Sequence, residues 1–155
     1  MGYPGLLRIF SVIIFALAVV GGTPAQEPVL ESAELFTRTG DSNKDDDTGV
    51  YAYVRSANGQ IILASIENAD SCGKDACEYH DHSEHTVKLN VQNRSKSQCQ
   101  DFVVKLGSRA NGNDKWEIKV ARVTLRFSDG SSLPIRTVDN VTLNSKHSQF
   151  VEIDF

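Results

Sequence analysis

The sequence predicts an all-β domain, an antiparallel β-sandwich of about eight strands. Three observations carry that expectation. From Glu34 onward apolar residues alternate with polar ones, turn formers interrupt them about every eight to twelve positions, and no segment reads as a helix longer than about two turns.

The first residues read as a secretory signal. Arg8 precedes an apolar run from Ile9 to Val20, and the small-residue stretch Gly21-Gly22-Thr23-Pro24-Ala25 follows, with cleavage expected after Ala25. That run is shorter than the roughly 20 residues that span a bilayer, so a retained anchor is the weaker reading. Later apolar stretches have only strand length, and residues 26–155 are expected to form one exported, extracellular domain without a transmembrane segment. Loss of Arg8 takes the 16 basic residues to 15 against 20 acidic ones. An acidic balance with no basic stripe argues against nucleic acid, and it gives no support to unassisted docking on anionic lipid.

Taken in order, Ala33 to Thr39 opens the sheet. Val50 to Arg55 follows a polar loop, with Tyr51 and Tyr53 on one face and Val50, Ala52 and Val54 on the other. Asn58-Gly59 signals a hairpin into Gln60 to Ile66. After a polar excursion from Glu67 to Glu84, Val87, Leu89 and Val91 alternate with polar residues, and Phe102, Val104 and Leu106 repeat the pattern. Trp116, Ile118 and Val120 share one parity, whereas Val123, Leu125 and Phe127 share the other. This predicts a bulge or break near Ala121-Arg122. Asp129-Gly130 makes a turn, Leu133 and Ile135 a short strand, and Val151, Ile153 and Phe155 a last strand.

Three stretches are similar to a known family. The first is Leu35-Phe36-Thr37-Arg38-Thr39-Gly40, a polar loop from Asp41 to Thr48, then Gly49-Val50-Tyr51-Ala52-Tyr53-Val54. The second is Asn111-Gly112-Asn113-Asp114-Lys115-Trp116-Glu117-Ile118, and Tyr79 to Val87 lies between them. Together, over most of residues 33 to 128, they resemble the PLAT or lipoxygenase-homology domain, an eight-stranded β-sandwich. The chain departs from that family where Asp47-Thr48-Gly49 replaces Gly-Thr-Asp, in the segment from Cys72 to Cys77, and in the length of the tail after Asp129. The resemblance implies a non-catalytic module that docks on a lipid or membrane surface or on a protein partner, with loops that can hold calcium.

Asp41, Asn43, Asp45, Asp46 and Asp47 crowd oxygen ligands into one loop, and like charges so close call for solvation or a cation. The loop is not an EF-hand, since Asp46 stands where Gly is needed and Ala52 where Glu is needed. Calcium, with Asn113 and Asp114 adding oxygens from the same end, is one reading; plain solvated turns are the other.

His80, His82 and His85 form a second cluster, with Cys77, Glu78, Asp81 and Glu84 beside them and His147 as a distant candidate. A regular strand would put His80 and His82 on one face, a pair suited to zinc or copper, and His85 on the other; a solvated loop is the competing reading.

Of Cys72, Cys77 and Cys99, the local pair Cys72 with Cys77 is the expected disulfide, with Cys77 to Cys99 as runner-up. Cys99 is otherwise a buried thiol or an intermolecular link. Asn93 and Asn140 open glycosylation sequons. Trp116 is expected in the core, the alternative being a membrane-inserting loop tip. No nucleophile elbow, metalloprotease motif or phosphate loop occurs. The alternatives to a binding module are therefore an extracellular structural or host-interaction glycoprotein and a small metal-dependent hydrolase.

Overall fold

Short alternating segments build every regular element of the computed structural model, which describes residues 26–69, 78–147 and 149–155. The strands are β1 (Leu30–Thr39), β2 (Gly49–Arg55), β3 (Ile62–Ile66), β4 (Glu84–Val91), β5 (Val103–Arg109), β6 (Asp114–Phe127), β7 (Arg136–Ser145) and β8 (Phe150–Asp154). Among the described residues a short 3-10 turn, Ser97–Cys99, lies between β4 and β5.

All pairings are antiparallel, in the order β7-β6-β1-β4-β3-β2-β5-β8. Two four-stranded layers, β7-β6-β1-β4 and β3-β2-β5-β8, meet where the end of β4 turns from β1 to β3 at Ala64 opposite Val91. The inward parity of each layer fills one core. Leu35, Trp116, Ile118 and Leu125 come from the first layer, and Val50, Val54, Leu63 and Leu106 from the second, all with almost no exposed surface. The expected all-β sandwich of eight strands is what the chain forms.

The parity change in β6 is met by a bulge, two residues earlier than expected. Arg38 pairs with Val120 and Thr39 with Ile118, so Lys119 is the extra residue, and β6 runs on unbroken through Ala121 and Arg122. Trp116 and Ile118 therefore face inward on one side of it, and Ala121, Val123, Leu125 and Phe127 on the other.

The tail differs more. In place of a short strand at Leu133 and Ile135, β7 occupies Arg136–Ser145 and pairs along β6. Its rhythm was hidden because Asn140 adopts a left-handed φ of 53°, so the part-buried Val138 does not share the parity of the part-buried Val141 and the buried Leu143. Asn58-Gly59 does lie in the β2–β3 hairpin, with Gly59 at φ 71°, but the connection runs from Ser56 to Ile61 and β3 starts at Ile62, not at Gln60. Ser56 Oγ accepts from the Ile61 amide and holds this wider turn.

Candidate functional site

The segments singled out in the sequence converge at one end of the sandwich. The backbone leaving β1 is laced to the start of β6, because the Gly40 amide donates to Glu117 O at 2.7 Å, the Glu117 amide to Ser42 O at 3.0 Å, and Ser42 Oγ to Lys115 O at 2.7 Å. The Asp45 amide donates to Asp114 Oδ2 at 3.3 Å, so the loops 41–48 and 111–114 share this end as expected. From the third segment, Tyr79 exchanges both backbone hydrogen bonds with Lys44, and the His82 amide donates to Gly40 O.

Electrostatics here are dominated by carboxylates. Burial, then the negative charges of Asp114, Asp47, Glu78 and Asp46, push the Asp45 carboxyl above its ordinary range. The oxygens nevertheless do not gather as one shell. Asn43 turns its amide nitrogen to Glu78 Oε1 at 2.6 Å, Asp114 accepts from a backbone amide, and Asp41, Asp46 and Asp47 point into solvent. Asn113 Oδ1 accepts from the His147 amide at 2.8 Å. Among the described residues no group of three or more His, Cys, Asp or Glu side chains is placed to hold a metal ion.

Lys44 lies inside this loop with none of its surface exposed. Its ammonium group donates to Asp45 O at 2.7 Å and to Thr48 O at 2.8 Å, and lies 5.0 Å from the centre of the Tyr79 ring. The Thr48 amide also donates to Asp45 O, closing the turn around it.

The histidines separate. His80 and His82 sit in an exposed turn, His80 with Nδ1 3.4 Å from Glu78 and His82 with Nε2 3.5 Å from Asp41. His85, the second residue of β4, stacks on Tyr79 at 3.7 Å, its Nε2 bonded to Ser83 Oγ. Burial, then the nearby cations Lys44 and His80, hold its pKa below the usual imidazole range. Tyr79 in turn meets Trp116 edge-on at 5.6 Å, and the indole N–H donates to Thr39 Oγ1 at 3.2 Å. Trp116 has no exposed surface, so it plugs the core under the loops and is not an inserting tip.

Cys99 is a free, fully buried thiol among the described residues, its pKa raised by burial, and it offers no surface for an intermolecular link. Cys72 and Cys77 lie outside the described residues, as do residues 1–25. Both sequon asparagines, Asn93 and Asn140, are exposed, Asn93 beyond the end of β4 and Asn140 within β7.

A second surface was missed in the sequence. On the outer face of β3-β2-β5-β8, Tyr51 meets Phe150 edge-on at 5.5 Å, with Arg109 5.7 Å from the Phe150 ring and 6.0 Å from Tyr51. Arg55 lies 5.6 Å from the Tyr53 ring. Gly107, opposite Tyr51 and Glu152, leaves the hollow into which the Phe150 ring folds, since a methyl there would overlap that ring. Lys105 pairs with Glu152 at 2.5 Å and Asp154 at 3.5 Å, whereas neither arginine is in an ion pair among the described residues. The result is a shallow, open groove of aromatic rings and guanidinium groups. Period two placed Tyr51 and Tyr53 together and puts Arg55 with them, but Arg109 and Phe150 join only through the β2-β5-β8 register.

No protein-family model matches the chain, and no curated protein does. Among solved structures, the chain is similar to the alpha toxin from Clostridium absonum, with a TM-score of 0.49 and 15% identity over 83% of this chain. The matched region spans 32% of the length of the toxin chain.

Proposed function

We propose that this chain is an exported, non-catalytic binding module, PLAT-like in kind, that lays the outer face of β3-β2-β5-β8 on a membrane surface rich in anionic headgroups. The observation that carries this reading is the face itself: Tyr51, Tyr53 and Phe150 set between Arg55 and Arg109, with no ion pair to either arginine among the described residues. Tyrosine and phenylalanine rings suit the headgroup boundary, where an apolar body and a wet edge are both satisfied. Guanidinium groups bind phosphate oxygens in forked geometry, and each basic residue at an anionic surface contributes about 1 kcal/mol.

The acidic total charge is compatible with this because Asp41, Asp45, Asp46, Asp47 and Asp114 lie in the loops at one end, whereas on the sheet face Glu152 and Asp154 are met by Lys105 and leave Arg55 and Arg109 without a carboxylate partner among the described residues. The open groove favours a surface over a small enclosed substrate. The resemblance of residues 33 to 128 to the PLAT family supports the same class of partner.

Co-sedimentation with phosphatidylcholine vesicles containing phosphatidylserine tests the proposal. Binding is expected with phosphatidylserine and lost without it, and Arg55→Gln with Arg109→Gln should weaken it roughly 30-fold, from about 1 kcal/mol per removed charge. An unchanged affinity in the double variant, at unchanged thermal stability, would refute the assignment.

A further inference from the structure

We infer that Lys44 is the cation of the acidic loop, so that this end of the sandwich holds its shape without calcium. Calcium takes six to eight oxygens, a mixture of carboxylates and carbonyls. Here the two carbonyls at the heart of the loop, Asp45 O and Thr48 O, already accept from the Lys44 ammonium group at 2.7 and 2.8 Å. A divalent ion placed on them would meet a buried positive charge.

Of the other oxygen donors, Asp41, Asp46 and Asp47 point into solvent, and three residues are committed elsewhere. Asn43 offers its nitrogen to Glu78, Asp114 accepts from the Asp45 amide, and Asn113 from the His147 amide. Thr48 Oγ1 is buried without a hydrogen-bond partner, but it is a single neutral oxygen. These residues do not fit the ion that the family resemblance implies.

The arrangement that excludes calcium also explains why a lysine is tolerated there. A buried ammonium needs its protons donated and its charge met. Two carbonyls take protons, and the Tyr79 ring offers its negative face. Backbone pairing of Lys44 with Tyr79 on both sides fixes where the side chain enters. Lys44 therefore places a positive charge inside the acidic loop and ties loop 41–48 to the segment beside β4.

This inference does not depend on membrane docking and is tested on the free protein. Calorimetric titration of the wild-type protein with millimolar calcium should release no binding heat, and its Tm should agree within about 1 °C in calcium and in EDTA. Saturable heat, or a rise in Tm of several degrees with calcium, would overturn it. Lys44→Met keeps the bulk of the side chain and removes the charge. Its Tm should fall by roughly 5–10 °C, since Thr48 O loses its donor and the loop its internal positive charge. An unchanged Tm would equally overturn the inference. Should that variant not fold, the calcium titration of the wild-type protein decides alone.

Discussion

At the scale of single residues, Trp116 and His85 show how one stack serves both the core and the loops. Trp116 fills the core, gives its N–H to Thr39 and carries Tyr79 on its edge, and Tyr79 carries His85. Trp116→Ala should lose about 3–5 kcal/mol in urea unfolding, the range for deleting a large buried aromatic. The wild-type indole should emit at blue-shifted wavelengths that vesicles do not change, as a side chain with no exposed surface requires. His85 supplies a pH dependence. Its folded pKa lies below the free value, so the unfolded chain binds the extra proton and stability falls as pH drops below about 6.5. The Tm of the wild-type protein should therefore decline between pH 7.5 and 5.5, and His85→Phe, which keeps a ring on Tyr79, should flatten that decline. Lys44 marks the limit of legibility at this scale. A lysine among aspartates reads as solvated, and only the fold shows the carbonyls that enclose it.

Elements were legible wherever burial on one face imposed a strict two-residue rhythm. β2, β4 and β5 each show it; sequence separated the two faces of β2 and identified the inward apolar residues of β4 and β5. The parity conflict in β6 correctly demanded an extra residue, but sequence could not place it at Lys119, because the partner register on β1 decides which residue is left over. β7 escaped because the left-handed Asn140 splits its apolar residues and much of its outer face is polar. The same dependence on long-range register hid Phe150, whose ring rests over Gly107 two strands from Tyr53. Gly107→Ala should push that ring off the sheet, costing roughly 1–3 kcal/mol. Amide exchange in β8 should rise more than in β6, and vesicle binding should weaken with it.

For the whole molecule, the two-layer sandwich explains why one chain presents two chemically different surfaces. The strand ends collect the acidic and histidine-rich loops, and the free face of β3-β2-β5-β8 collects arginine and aromatic rings. Net charge alone concealed this, because a sum over the chain discards position. The loop end was legible as a place where flagged segments meet; its internal cation was not, and neither was the sheet face. The most direct test of that face is an NMR experiment on the folded protein with phosphatidylserine vesicles containing spin-labelled lipid. Resonances of residues 51–55, 105–109 and 150–152 should broaden before any others. Broadening confined to loops 41–48 and 111–114, or none at all, would contradict the account.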